Sequence, residues 1–365
     1  MGAGVRARLG AASLGSQRPF NLMTIHIGLI GGGNISDTHA RAARAIPGVE
    51  IAAIYGTNAT SVARLCQQHG GKAYQDFDSF LEHRPLDMVV IGSPSGLHAT
   101  HGIAAARRGL HVLTEKPIDV STQRADALIE AAEESGVKLG VIFQDRLTPG
   151  ITQVKEWISQ GELGNIMLID ARVKWYRPPE YYDRSRWRGT FALDGGGALI
   201  NQGVHTVDLL LWMFGNVARI QACLRTTLHK IEVEDTAVAL LEFASGPVCT
   251  LLATTVAYPG YPRRVEITGS EGTVIIENDQ IVAAQFRTPR TDTIGSGARN
   301  HESAASPVVS DVRGHQAVFE DFIQAVEHDT KPACDGQDGR RSIELIEAIY
   351  RVARISESVT DVKSG

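Results

Sequence analysis

Ile25-His26-Ile27-Gly28-Leu29-Ile30-Gly31-Gly32-Gly33-Asn34-Ile35-Ser36 is the stretch on which the rest of the chain is read. Its first six residues are mostly apolar on both alternating faces, as a strand covered on two sides requires. Glycines follow at 31–33, and a helical pattern then runs to Ala45, where Pro47 and Gly48 stop it. Strand, Gly-x-Gly and helix in that order make an anion-binding turn. Gly31 permits the tight bend, Gly33 lets a pyrophosphate approach the backbone, and the first helical amides donate to it. Gly31, Gly33, Asn34 and Ile35 are therefore candidate dinucleotide contacts. The third position of the fingerprint is Ser36, small but not the usual Gly or Ala.

Working outward, strand-like runs at 50–55, 88–91, 111–114 and 138–143 alternate with helical patterns at 61–69, 99–108 and 121–134. That rhythm predicts a doubly wound parallel sheet with right-handed crossovers. Its ligand crevice lies beyond the carboxyl ends of the strands. Gly56, Thr57, Asn58, Ser93, Pro94, His98, Glu115 and Lys116 all fall at that edge and are candidate cofactor contacts. The second strand ends in Gly56-Thr57-Asn58 rather than in the carboxylate that marks NAD. Without that negative charge the reading is NAD(P) with a lean to NADP, and Arg64 is the candidate for a 2′-phosphate.

Beyond about residue 150 the rhythm changes. A helix at 151–159, a strand at 166–175 and a helix at 198–214 precede strand-like segments at 218–228, 236–243, 248–256, 264–269 and 273–277. Short connections at 244–247 and 269–272 fit an antiparallel sheet. Residues 286–310 have little apolar rhythm and read as a mobile flap or a plain surface loop. Helical patterns at 313–328 and 340–355 close the chain. The fold class expected is α/β plus α+β: a doubly wound Rossmann domain and an antiparallel sheet domain, which the family resemblance given below makes open and mostly antiparallel. The expected divisions are a flexible leader at 1–22, a dinucleotide-binding domain at 23–145, a second domain at 146–340 to which the family resemblance given below assigns substrate binding and oligomerisation, and a helix and tail at 341–365.

Composition bounds the function. A chain of 365 residues suits two domains of roughly 100–200 residues each. The net charge of -5 and the lack of a long basic run speak against nucleic acid. Four scattered cysteines suit reduced thiols better than a disulfide scaffold or a zinc site. No apolar run reaches the roughly 18 residues of a membrane span, and the leader lacks the apolar core of a secretory signal. A cytoplasmic location without membrane partners is the expectation.

GLIGGGNIS at 28–36, SPSGLH at 93–98, HVLTEKP at 111–117 and GGGALINQGVHTVDLLLW at 195–212 together resemble the glucose–fructose oxidoreductase/inositol dehydrogenase (Gfo/Idh/MocA) superfamily over residues 24–355. The resemblance implies nicotinamide-dependent oxidation or reduction of sugars, cyclitols or nucleotide sugars, in a homo-oligomer such as a dimer or tetramer. It makes Lys116 the lysine that hydrogen-bonds the reacting oxygen and steadies alkoxide character. Pro117 restricts the backbone at Lys116, and Glu115 orients the lysine or binds near the nicotinamide. Asn201 and His205, four apart on the expected helix, complete the catalytic set. His205 can exchange the hydroxyl proton. Relatives carry an acid at position 201. Asn201 can orient a hydroxyl or the imidazole but cannot act as a base.

Asp208, three residues after His205, is a candidate partner for its ring. Rings and fork-like donors at Trp175, Arg177 and Arg188 are candidate substrate contacts, with Gln144 and Arg146 beside them. A carboxylated sugar or a nucleotide phosphate suits Arg177 and Arg188, so a nucleotide-sugar dehydrogenase is the alternative reading. A noncatalytic metabolite-binding or regulatory protein is the alternative from a different class. No metal is expected, because a nicotinamide takes the hydride and the twelve histidines form no HExxH site.

Overall fold

In the computed structural model the described residues are 24–185, 187–288 and 311–361, with side chains to Arg354. The first unit runs β1 (Ile25–Ile30), α1 (Asn34–Arg44), β2 (Val49–Tyr55), α2 (Ala59–His69), β3 (Lys72–Tyr74), α3 (Phe77–Leu81), β4 (Met88–Ile91), α4 (His98–Ala106), β5 (His111–Thr114), α5 (Thr122–Glu134) and β6 (Leu139–Val141). Its six strands pair in the order β3-β2-β1-β4-β5-β6, all parallel. The order reverses between β1 and β4, so a crevice opens beside the glycine turn. Both faces are covered, which explains the run of apolar residues in β1. Ile27 and Leu29 pack with α1 and α2, while Ile30 joins Val89, Ile91 and α4 on the other side.

The second unit runs α6 (Pro149–Ser159), β7 (Ile166–Lys174), α7 (Glu180–Asp183), α8 (Val204–Phe214), β8 (Val217–Arg225), β9 (Thr236–Phe243), β10 (Val248–Thr254), β11 (Arg264–Gly269), β12 (Gly272–Glu277) and β13 (Gln280–Phe286). Its strands pair as β13-β12-β11-β7-β10-β9-β8, antiparallel except for β7 beside β10. One face packs Ile169, Leu241, Leu251 and Ile267 against α8. The other face exposes Leu168 (52%) and Val238 (43%).

The structure revises several expectations. β3, α3 and β13 were not foreseen, because segments of three to seven residues carry too little periodicity. Phe286 closes β13, so the expected flap cannot begin there. Residues 289–310 lie outside the described residues. The helix expected at 313–328 is α9 (Arg313–Glu327), and it does not belong with the second unit. Its Phe319 and Phe322 share a core with Ile27, Leu29 and Val90 of the first. The last helix, α10 (Gly336–Asp361), starts before 341 and packs on α5, α8 and β8, so it bridges both units. Among the described residues no helix is long and apolar enough to cross a membrane.

Candidate active site

Gly31 adopts φ +130, and a Cβ there would stand 2.7 Å from the Gly92 carbonyl oxygen. Only glycine fits. An added Cβ at Gly33 would meet nothing within 4 Å, so that face is open. Gly33 begins α1 without any side-chain cap, which leaves the first helical amides, around Asn34 and Ile35, free to donate. The open glycine and the uncapped helix fit a dinucleotide pyrophosphate. At the end of β2 the Asn58 side chain accepts the Ser61 amide at 3.0 Å and caps α2. Thr57 beside it is exposed and Gly56 buried. Arg64 does not face this strand end. Its guanidinium donates to Gln68 at 3.0 Å along its own helix.

His98 is buried at the start of α4. Its ring nitrogens face the Pro117 and Ser93 carbonyls at 2.8 and 2.9 Å, tying two loops together. The Ser93 hydroxyl is engaged with His101 at 2.9 Å, and Pro94 starts the short turn that leads into α4. Glu115 follows β5 at the same strand end. Its carboxylate is buried, receives His39 at 2.9 Å, and accepts the Lys116 amide at 3.1 Å. It steadies the lysine's main chain.

Lys116 precedes a cis bond to Pro117. Its Nζ donates to the Asn201 carbonyl at 3.0 Å, joining the two units across 85 residues. Burial lowers the ammonium's pKa, opposed by the carboxylates of Glu115, Asp194 and Asp145. Asn201 lies in a π-turn, Leu199–Gly203, rather than in the regular helix expected from 198. Its side chain is already satisfied: Nδ2 donates to Asp194 at 2.6 Å, and Oδ1 accepts from Gln202 at 3.2 Å. Asp194 also accepts the Gly189 amide at 2.8 Å, and burial pushes its carboxyl up to about 6. Behind the turn, Glu234 accepts the Gly197 and Leu199 amides at 3.0 and 2.9 Å and the Tyr350 hydroxyl at 3.0 Å. A Cβ on Gly197 would fall 1.6 Å from the Glu234 carbonyl oxygen, so the glycine run is a packing requirement.

His205, on the first turn of α8, places Nδ1 3.3 Å from the Asp145 carboxylate, with the Phe143 ring edge-on at 5.8 Å. Burial drives the imidazole down to about 4 against the pull of Asp145, so the ring is neutral. Burial would raise Asp145, but Arg263, His205 and Lys116 hold it below the ordinary carboxylate value. Arg263 also pairs with Asp279. The expected pairing of Asp208 with His205 does not occur. Asp208 takes Arg146 in a two-pronged bond of 2.7 and 2.6 Å, both side chains buried. Arg146 reaches Asp338 at 3.3 Å and the Ala333 carbonyl at 3.2 Å as well. It is thereby removed from the candidate substrate contacts.

Gln144 starts the turn after β6 and lies against α9 at Gly314. The Arg177 guanidinium stacks over Trp175 and Tyr181, 5.2 and 5.4 Å from the ring centres. Arg188 stacks over Tyr181 and Trp187, both at 4.6 Å. Among the described residues one group of metal-capable donors stands out, His39, Glu115 and His315, mutually within 4.8 Å. The 2.9 Å from His39 Nε2 to the Glu115 carboxylate is a hydrogen-bond distance. Sequence reasoning missed Asp145, Asp194, Arg263, His39 and His315. Their partners lie 7 to 200 residues away and follow no motif spacing.

Residues 25–143 match the family described as an oxidoreductase family with an NAD-binding Rossmann fold. Residues 151–275 match the GFO/IDH/MocA C-terminal domain. Among curated proteins, the inositol 2-dehydrogenase of Rhizobium meliloti (strain 1021) is 25% identical over 336 residues, covering 90% of this chain and 97% of its own. Among solved structures, the WlbA dehydrogenase from Bordetella pertussis, in complex with NADH and UDP-GlcNAcA, is 33% identical with a TM-score of 0.85. That match covers 93% of this chain and 98% of that one. The WlbA dehydrogenase from Chromobacterium violaceum, with the same two ligands, is 29% identical with a TM-score of 0.82, covering 93% and 96%.

Proposed function

The chain belongs to the Gfo/Idh/MocA oxidoreductase family, and from that premise we propose that the sugar it acts on is linked to a nucleotide. It is an NAD(P)-dependent oxidoreductase acting on a hydroxyl of a sugar or sugar derivative. The observation that carries the chemistry is the junction of Lys116 Nζ with the Asn201 carbonyl at 3.0 Å, one helical turn before His205. Two features support the nucleotide-linked substrate. The two WlbA structures hold UDP-GlcNAcA, and Arg188, framed by Tyr181 and Trp187, pairs a fork donor with flat rings.

When bound, the nicotinamide supplies the hydride acceptor or donor. The side chains manage the oxygen and its proton. Lys116 donates a hydrogen bond to the reacting oxygen and stabilises its negative charge as the C–H bond breaks. Neutral His205, its Nδ1 turned to Asp145, keeps Nε2 free to take the hydroxyl proton in oxidation and to return it in reduction. Asp145 then faces the imidazolium that forms. Asn201 acts as the anchor of Lys116 and needs no carboxylate for that, which removes the reason for a noncatalytic reading.

Nicotinamide absorbance should report turnover with UDP-sugars. Charged hydrogen bonds contribute about 1.5–3 kcal/mol, so kcat/KM should exceed that of free sugars or inositols by at least about tenfold. Faster turnover of a free sugar or inositol would remove the nucleotide from the proposal. For the cofactor, NAD is the better choice. Arg64, the candidate for a 2′-phosphate, donates instead to Gln68, and the WlbA structures hold NADH. Fluorescence titration should give a dissociation constant lower for NADH than for NADPH by about tenfold, the equivalent of one hydrogen bond. The reverse order would restore NADP.

The pH profile tests His205. Its value of about 4 means that the imidazole stays a competent base well below pH 6.5. The acid limb of kcat/KM for oxidation should therefore fall nearer pH 4 than 6.5, provided activity returns on readjustment to neutral pH. Asp145→Asn removes the charge that opposes desolvation and should move the limb lower still. A wild-type limb at or above pH 6.5 would contradict a neutral, buried base. Oligomerisation is proposed through the open face of the second sheet, around Leu168 and Val238. Light scattering on the purified chain tests it.

A further inference from the structure

The oxidoreductase reading leaves unused a buried group behind Lys116. His39 lies on α1, the helix that begins at the glycine turn, and His315 lies on α9. Both are buried, and both ring Nε2 atoms converge on one oxygen of Glu115, at 2.9 and 3.5 Å. The other Glu115 oxygen accepts the Lys116 amide at 3.1 Å. His39 Nδ1 has no partner among the described residues, so Nε2 carries the proton and donates.

We propose that His39 and His315 are positioning residues for Lys116, holding the Glu115 carboxylate ionised and fixed so that it sets the lysine's main chain and keeps its amine protonated. The proposal rests on Lys116 being the oxygen-binding lysine. A buried carboxylate stripped of its donors takes up a proton. Here burial would raise Glu115, and the hydrogen bonds from His315 and His39 hold it well below its ordinary value. Burial lowers the neighbouring Lys116, and the Glu115 charge is the first force opposing that fall. Asp194 and Asp145 oppose it too, while Arg188 adds to it, and His205 lies within the same field. His39 also feels His315 and His98. Because His39 rides on α1, the link runs from the dinucleotide turn to the reacting lysine.

Competitive labelling of the full chain with acetic anhydride, read at Lys116 by mass spectrometry, tests this without any substrate. His39→Leu or His315→Leu should lower the Lys116 pKa. One unit corresponds to about tenfold more free amine, so labelling at pH 8 should rise about tenfold, with exposed Lys230 as the unchanged internal standard. His39→Gln, which can still donate from its amide, should return labelling to within about threefold of wild type. In turnover, the leucine variants should lower kcat with KM nearly unchanged and pull the alkaline limb to lower pH. Folded leucine variants with wild-type Lys116 labelling would overturn the proposal. If neither leucine variant folds, Glu115→Gln replaces them. Unmoved labelling there breaks the link at its centre. Altered labelling with no turnover on any sugar would instead remove the substrate reading and leave this inference standing.

Discussion

Lys116→Met should lower kcat by about 100- to 1,000-fold, the loss that follows removal of one donor aimed at a developing oxyanion. NADH binding and the melting temperature should change little. Methionine keeps the length and flexibility of the side chain while removing the charge and the donor, so it tests chemistry more cleanly than alanine. Arginine is not expected to rescue. Its planar fork cannot occupy the site of a single Nζ that already donates to the Asn201 carbonyl at 3.0 Å. Loss of the ammonium also leaves Asp194, already up at about 6, without one of the charges that lowers it. Part of the loss should therefore appear as a changed pH profile around neutrality. Single-turnover measurement of hydride transfer separates these effects from product release. A Lys116→Met enzyme within about tenfold of wild type in that step would show that the oxygen is held by another donor.

The parts of this site that sequence made legible are those whose chemistry is local. The glycine turn is written in six adjacent residues, because a strand, a bend and a helix N-terminus must follow one another in the chain. Glu115-Lys116-Pro117 stands at a strand end for the same reason. What stayed hidden is the choice of partners. Asn201 and His205 do lie four apart, but the π-turn at 199–203 gives Asn201 the task of anchoring Lys116 through its carbonyl. Nothing in residue type signals that the carboxylate near His205 comes from Asp145, since that contact depends on how β6 meets α8. The cofactor's 2′ position is hidden for the same reason. A missing acid is visible in Gly56-Thr57-Asn58, but the direction in which Arg64 points is a property of α2. Chain order assigned α9 to the second unit, while its Phe319 and Phe322 pack with Ile27, Leu29 and Val90 of the first sheet.

Arg146 provides the sharpest contrast between sequence position and role, and its replacement should have the largest effect on stability. It follows the strand end by five residues, where crevice residues are expected, yet its guanidinium is bonded at 2.7 and 2.6 Å to Asp208 with both groups buried. Arg146→Ala should cost about 3–5 kcal/mol in unfolding free energy, because a buried carboxylate loses its partner and cannot reach water. Asp208→Ala should cost somewhat less, since Arg146 retains Asp338 at 3.3 Å and the Ala333 carbonyl at 3.2 Å. The double change Arg146→Met with Asp208→Leu removes both charges and fills most of the space. It should recover part of the loss, as buried ion pairs often break even against apolar packing. Denaturant melts of the four proteins compare these losses directly. Where Arg146→Ala remains folded, KM for the sugar should hold within about threefold, since a contact that substrate never makes cannot contribute to its binding. A wild-type melt combined with a large rise in KM would return Arg146 to the pocket. Asp208 would then have to hold its charge without its principal partner, which its burial makes costly.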